Sequence, residues 1–372
     1  MTIAYPLKLV VPASGDPTMQ EFAQGDQITQ DLIAGLMGRN RIINGAMDIW
    51  QRGTSFNFGV NQRGYTADRY FARSDDSGSI VVSRAAVPTN ATAALSPFNY
   101  YLSAQVTAGS GAATQQVVSY PIEGVKTLSG GKAAVSFLMW ADAPKNVGVQ
   151  LYQGFGGGSF NYLTPQVVSL TTTPTWFTLV FDLPLVTTSF DSTTSRLQVV
   201  FYLSAGSNYN ANSGGIGIQS GTFNFTGLQV EAGTVMSGFE FRPQELELAL
   251  CQRYYEKSFA QDVTPANQTT APLIYPAVGW NSQTVDSAVM FKVRKRITPA
   301  MSFYSTTDGS SPVNGTWALY DGSAWQYAAS NPTTAHRVNE TGFTAAVTLA
   351  GAGISNGVSR IVTGHWAADA EL

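Results

Sequence analysis

Apolar and polar residues alternate with a period of two through most of this chain. Phe177, Leu179, Phe181 and Leu183 are separated by Thr178, Val180 and Asp182, and Leu197, Val199, Phe201 and Leu203 repeat the pattern over Gln198 and Ser204. Ala133, Val135, Phe137 and Met139 give a third run, Val147, Val149 and Leu151 a fourth, and Phe223 with Phe225 opens a fifth. A period of two sends every second side chain to one face, so each run predicts a half-buried strand. Residues 154–159 and the Ser213-Gly214-Gly215 segment lie between the runs and read as loops. Closely spaced strands with no helical period between them predict an antiparallel jelly-roll sandwich over residues 40–242.

The period changes at two places. Residues 26–37 carry Ile28, Leu32, Ile33 and Leu36 on one helical stripe, with Asp26 as an N-cap and Gly38 as a stop. A helix this short is unstable alone. It must pack on its own domain or serve assembly, and the extended Pro- and Gly-containing arm before it favours assembly for residues 1–39. The second change is at residues 243–257, where Pro243 opens a helix. Glu245 and Glu247 lie near its positive end, Arg253 and Lys257 near its negative end. Its stripe is Leu246, Leu250 and Tyr254, with Cys251 and Tyr255 beside it, and it reads as a linker. Alternation then returns at Val289, Phe291 and Val293 and at Phe343, Ala345, Val347 and Leu349, which predicts a smaller C-terminal sandwich over residues 258–372. The expected fold is therefore all-β: two jelly-roll-like β-sandwiches joined by a short helix, with an N-terminal arm and its own short helix.

Composition narrows the chemistry. Only 12% of the 372 residues are charged and the formal net charge is −3, so neither nucleic acid nor an anionic membrane is an expected partner. No stretch is apolar enough to predict membrane insertion. The one basic cluster, Lys292 to Arg296, reads as a polar strand face. Cys251 is the only cysteine, which excludes an intramolecular disulfide and a cysteine-rich zinc site. His336 and His365 have no Asp, Glu or Cys neighbour at ligand or triad spacing, and both read as structural. Asp75-Asp76 is the only adjacent Asp pair; inside a turn it reads as solvated, although a calcium ion would find oxygen ligands there. No cofactor and no catalysis are expected.

Aromatic residues remain. Trp317, Tyr320, Trp325 and Tyr327 crowd a turn-rich segment and are candidates for stacking on sugar rings, or alternatively hairpin cross-strand pairs. Tyr100, Tyr101, Phe155, Phe160 and Tyr162 are weaker candidates of the same kind.

Three stretches carry a resemblance. The first is Asn44-Gly45-Ala46-Met47-Asp48-Ile49-Trp50-Gln51-Arg52-Gly53 within residues 40–56, followed by Ala67-Asp68-Arg69-Tyr70-Phe71. The second is Leu228-Gln229-Val230-Glu231-Ala232-Gly233, then Phe239 to Pro243 and Cys251-Gln252-Arg253-Tyr254-Tyr255-Glu256-Lys257. The third is Gly364-His365-Trp366 through Leu372. Together they resemble bacteriophage tail-fibre or virion-fibre proteins with a carbohydrate-binding-module-like jelly roll. The resemblance implies a structural subunit of the phage particle, in a tail or other external appendage. It also implies a homotrimer that contacts other virion proteins through residues 1–39, and in some members binds host-surface polysaccharide. The alternatives are a capsid or neck decoration protein without a receptor role and, less in keeping with the residues, a polysaccharide depolymerase. Arg52, Asp68 and Arg69 are expected to form an ion-pair network that holds the fold.

Overall fold

The computed structural model describes residues 38–261, 263–267, 272–306, 314–327, 332–349 and 353–372, together with the backbone of residues 7–10 and 18–21. Strands β1 (Leu7–Val10) and β2 (Thr18–Glu21) form an antiparallel hairpin. The helical stripe expected at Ile28, Leu32, Ile33 and Leu36 lies outside the described residues.

The first sandwich is built from β3 (Ser55–Phe58), β4 (Gln62–Tyr65), β5 (Phe71–Asp75), β6 (Gly78–Ala86), β7 (Tyr100–Ala108), β8 (Gln115–Glu123), β9 (Lys132–Ala141), β10 (Lys145–Gly156), β11 (Ser159–Tyr162), β12 (Gln166–Leu170), β13 (Thr175–Asp182), β14 (Arg196–Ala205) and β15 (Gly221–Ala232). One sheet runs β11-β10-β14-β8-β5-β4, with β12 also paired to β10; the other runs β13-β9-β15-β7-β6-β3. All pairings are antiparallel. The alternation in the sequence is realised strand by strand. Val147, Val149 and Leu151 of β10, Leu197, Val199, Phe201 and Leu203 of β14 and Val135, Phe137 and Met139 of β9 point between the sheets, where they meet Phe223 and Phe225 in one core.

The second sandwich comprises β16 (Tyr255–Lys257), β17 (Ile274–Gly279), β18 (Thr284–Met290), β19 (Ala300–Tyr304), β20 (Ala318–Tyr320), β21 (Trp325–Tyr327), β22 (Thr334–His336), β23 (Gly342–Thr348), β24 (Ser359–Thr363) and β25 (His365–Asp369). A three-stranded sheet, β16-β25-β19, faces a seven-stranded one, β21-β20-β24-β17-β18-β23-β22. Val285, Trp317, Leu319, Phe343, Val362 and Trp366 fill the space between them.

The linker differs from its sequence pattern in two ways. The helix is Gln244–Gln252, and Tyr255–Lys257 form a strand on β25 instead of continuing the helix. Ladder pairing with the chain's last strand overrides helical propensity there. The apolar stripe is also buried only at its C-terminal end, where Tyr254 lies. Leu246 is exposed and Leu250 half-buried, whereas Cys251 and Gln252 are buried.

The basic cluster is no strand face either. Lys295 is buried, and its ammonium donates to Glu256 Oε2 at 2.6 Å and to the carbonyl of Val293 at 2.6 Å. Arg296 donates to the carbonyls of Ala370 (3.0 Å) and Glu371 (2.7 Å). Lys295 thereby ties this segment to β16 and, through the Gln252 carbonyl, to the linker helix, and Arg296 also reaches the Thr193 carbonyl of the first sandwich.

Candidate functional site

The three stretches that carry the family resemblance converge on one place, the seam between the two sandwiches. Asn40 N–H donates to Glu240 (2.8 Å), Arg41 N–H to the Val230 carbonyl (2.8 Å), and Arg242 to the Ile42 carbonyl (2.9 Å). Asp68 accepts the Gln51 N–H at 2.9 Å, and the Gln51 amide reaches the Tyr255 carbonyl at 2.7 Å. Burial pushes the Asp68 carboxyl up to about 6 against the opposing pull of Arg52 and Gln51. Arg52 pairs with Asp369 (3.1 Å) and Glu371 (3.4 Å) and stacks over Tyr255 at 3.8 Å. Arg69 pairs with Glu371 and stacks over Tyr254 at 3.5 Å. The expected ion-pair network of Arg52, Asp68 and Arg69 is replaced by other partners: Asp68 is held by Gln51, and both arginines reach across to the C-terminal residues. A cleft of about 510 Å³ opens beside this seam, lined by Arg41, Arg69, Glu123, Lys126 and Tyr254. Of these, Arg69 and Glu123 are already committed, to Glu371 and to Arg253 (2.9 Å) respectively. Burial raises the Glu123 carboxyl, but hydrogen bonds from Arg253 and Tyr254 outweigh it and leave it below the usual range. This region is a clamp.

The aromatic candidates in the second sandwich divide. Trp317 is fully buried: its ring stacks on Tyr275 (5.1 Å), meets Phe303 edge-on (5.7 Å), and donates Nε1–H to the His365 carbonyl at 3.0 Å. It is a core residue and cannot meet a sugar, which corrects the expectation from sequence. Tyr320 and Trp325 are a cross-strand pair on the β20–β21 hairpin, 5.4 Å between ring centroids, with Trp325 36% exposed. Tyr327 ties its hydroxyl to Thr306 at 2.9 Å. The hairpin reading describes these three residues as they stand. His365 is buried against Phe259 and bonded to Ser258 (2.9 Å), while His336 sits 3.2 Å from Asp286.

A better-formed site lies on the first sandwich, on the outer face of the sheet containing β10 and β14. Because Val147, Val149 and Leu151 point inward, Gly148, Gln150, Tyr152 and Gly154 must point out. The same phase puts Arg196, Gln198, Val200 and Tyr202 of β14 outside. Register then sets these residues in rows across the sheet. Phe160, Gly154, Arg196 and Glu123 form one row; Tyr162, Tyr152, Gln198 and Pro121 the next. Gln150, Val200, Ser119 and Phe71 form a third, and Gly148, Tyr202, Val117 and Arg73 a fourth.

The rows make a floor, a rim and a wall. Val117, Val200 and Tyr202 are the buried apolar floor, against which Tyr152, Tyr209 and Ile216 pack. The rim is the cluster of Tyr152, Phe160 and Tyr162, with ring centroids 5.2 to 5.8 Å apart. Phe160 is 39% and Tyr162 51% exposed, a costly placement for two large rings unless something covers them. The wall is the segment around Ser207–Tyr209 and Asn210–Ser213. It lies so close over β10 that a Cβ on Gly148 would overlap the Ser213 carbonyl. Polar groups run between floor and rim. Gln198 accepts from Tyr152 Oη and Arg196 Nε, both at 2.6 Å, and donates to Ser119 Oγ at 2.9 Å. Gln150 accepts from Tyr202 Oη (3.3 Å) and Asn212 (3.2 Å). Apolar faces flanked by oriented amides and hydroxyls suit a ligand that is apolar on one side and hydroxylated at its edges. The sequence flagged Phe160 and Tyr162 but missed Tyr152, Arg196, Gln198 and Tyr202; their signal was the position out of phase with the core.

Neither a family model nor a curated protein matches the sequence. Among solved structures, the chain is similar to a family 4 carbohydrate-binding module, with 18% identity over 51% of this chain and 98% of that one and a TM-score of 0.30. It is also similar to TmCBM61 in complex with β-1,4-galactotriose (13% identity, 53% and 100% coverage, TM-score 0.27). A third likeness is to the enzymatically active domain of bacteriophage CBA120 tailspike protein 4, with 11% identity over 52% of this chain, 22% of that chain and a TM-score of 0.29. Likeness this distant assigns no ligand and no residue of this chain a role.

Proposed function

We propose that this chain is a non-enzymatic structural subunit that holds a polysaccharide across the outer face of the β10–β14 sheet. The observation that carries this reading is the half-exposed rim of Tyr152, Phe160 and Tyr162 over a ladder of oriented amides. Aromatic faces stack on the C–H faces of sugar rings, and the half-buried Gln198 and Asn212 meet hydroxyls at their edges, while buried Gln150 holds Tyr202 and Asn212 in place. Tyr162→Ala removes an exposed ring, so folding is expected to be unaffected while glycan affinity falls about tenfold, roughly 1.4 kcal/mol. A glycan array followed by titration with the strongest binder measures this. Binding that survives both Tyr162→Ala and Phe160→Ala, but is lost in Trp325→Ala, would move the site to the C-terminal hairpin.

The wider setting rests on the motif resemblance: a bacteriophage fibre subunit, homotrimeric, joined to the particle through its N-terminal arm. Deleting residues 1–37 keeps Gly38, whose N–H donates to Glu240 at 2.7 Å. The truncated chain is expected to fold as both sandwiches yet fail to join the particle; normal incorporation would count against the attachment role. Imaging of labelled particles separates a tail position from capsid or neck decoration.

A further inference from the structure

We infer that the polysaccharide held on this face is acidic and that Arg196 reads its carboxylate; this deepens the glycan-binding reading and rests on it. Arg196 lies on β14 at the edge of the aromatic rim, one strand from Gly154 and two from Phe160. Gly154 has no side chain to separate them. A Cβ there would meet Arg196, Phe160 and Tyr152 all at 3.4 to 3.5 Å. The guanidinium therefore sits 5.8 Å from the centroids of both the Phe160 and Tyr152 rings, inside the rim itself.

Its charge has no counter-ion among the described residues. Nε–H is held by Gln198 (2.6 Å), one terminal nitrogen reaches Tyr152 Oη and the other the Thr194 carbonyl, both at 3.3 Å. Each terminal nitrogen retains a second N–H. The acidic groups nearest in the ladder and the adjoining turn are both engaged elsewhere. Glu123, directly across from Arg196, is bound by Arg253 and by Tyr254 Oη at 2.6 Å. Asp191 accepts from Thr193 (2.7 Å) and Thr194 (2.6 Å) in its own turn. Two other arginines lie on this face, far from the rim: Arg73 on β5, matched by Asp75 at 2.8 Å, and Arg63 across from it on the edge strand β4. Arg196 is thus a guanidinium fixed in orientation by three neutral acceptors, beside rings that stack on sugars, with donors left over. A planar fork of this kind matches a carboxylate in two-point geometry, which an ammonium cannot reproduce. A uronic-acid polymer supplies both parts: ring faces for Tyr162 and Phe160, and a carboxylate at the ring edge for Arg196.

The test uses the full chain and titrates polygalacturonate, alginate and hyaluronan, each against its carboxyl-reduced counterpart, with dextran sulfate as a charge control. The expected result is at least one carboxylated polymer bound about tenfold or more tightly than its reduced form. Arg196→Gln, which can still hydrogen-bond its neighbours, should abolish that preference, and Arg196→Lys should recover only part of it. Equal binding of carboxylated and reduced polymers, or a preference that survives Arg196→Gln, overturns the inference. Binding of dextran sulfate with the same dependence on Arg196 also overturns it, in favour of charge attraction alone. If only neutral glycans bind, and Tyr162→Ala weakens them, the inference falls while the glycan-binding reading stands. If no polymer of either kind binds, both fall.

Discussion

Replacing Lys295 with Met is expected to lower the unfolding free energy by about 3–5 kcal/mol, because it strands a charge in the interior. The side chains of Lys295 and Glu256 are 0% and 1% exposed and 2.6 Å apart. Burial lowers the pKa of the Lys295 ammonium, and the pairing with Glu256 only partly restores it. Glu256 also accepts the backbone N–H of Lys292 at 2.9 Å. The carboxylate therefore orders the 291–296 segment, and it remains buried when its cation is gone. Urea denaturation of Lys295→Met, Glu256→Gln and the double variant measures the effect. The double variant should recover most of the loss, since the introduced glutamine amide can still accept from the Lys292 N–H without carrying charge. A single-variant loss below about 1 kcal/mol would show that water or rearrangement compensates the carboxylate, contrary to the close packing around it.

Five strands of the first sandwich, β9, β10, β13, β14 and β15, are legible because apolar residues recur at every second position; β8, buried on both faces, shows no such alternation. The C-terminal sandwich is legible chiefly in β23, where Phe343, Ala345 and Val347 alternate, and in β18 only at Val289. Residues 291–296 misled: Phe291 and Val293 continue the alternation of Val289, but the ladder stops at Met290. The reason is Glu256, a residue far away in sequence whose carboxylate captures the amides of Lys292 and Val293 (2.9 and 3.4 Å). Local pattern cannot report such a partner.

The same logic separates the two functional regions. The motifs that make the chain look familiar belong to the seam, where Arg52 and Arg69 bind Glu371 and Tyr254 and Tyr255 lie under their guanidinium planes. Those residue types are demanding, so they form visible motifs. The proposed ligand face is assembled differently, from one residue in two on β8, β10, β11 and β14. Phase alone tells that Tyr152 and Gln198 face outward. That they are neighbours follows only from the strand order, which no single strand encodes.

Trp317 gives the second large effect, and it separates fold from recognition in the C-terminal sandwich. Trp317→Ala is expected to destabilise the protein by about 3–5 kcal/mol, as for other fully buried aromatic side chains. The indole fills a slot defined on every side. Tyr275 stacks on one face, Phe303 meets it edge-on, and the His365 carbonyl loses its donor if the ring goes. Gly364 lies so close that a Cβ there would overlap the indole, so the backbone of the β24–β25 turn is itself shaped by this ring. Collapse into the cavity is limited because Thr333 Oγ1 holds the Trp317 N–H at 2.8 Å. Trp325, only eight positions on, is 36% exposed and packs mainly on Tyr320, so Trp325→Ala should change stability by no more than about 0.5–1 kcal/mol. Thermal unfolding of the two variants checks the contrast directly. A small effect at Trp317 would return it to the candidates for ligand contact. A large one means that any glycan binding lost in Trp317→Ala reflects a broken core, and that only the exposed rings can report on recognition.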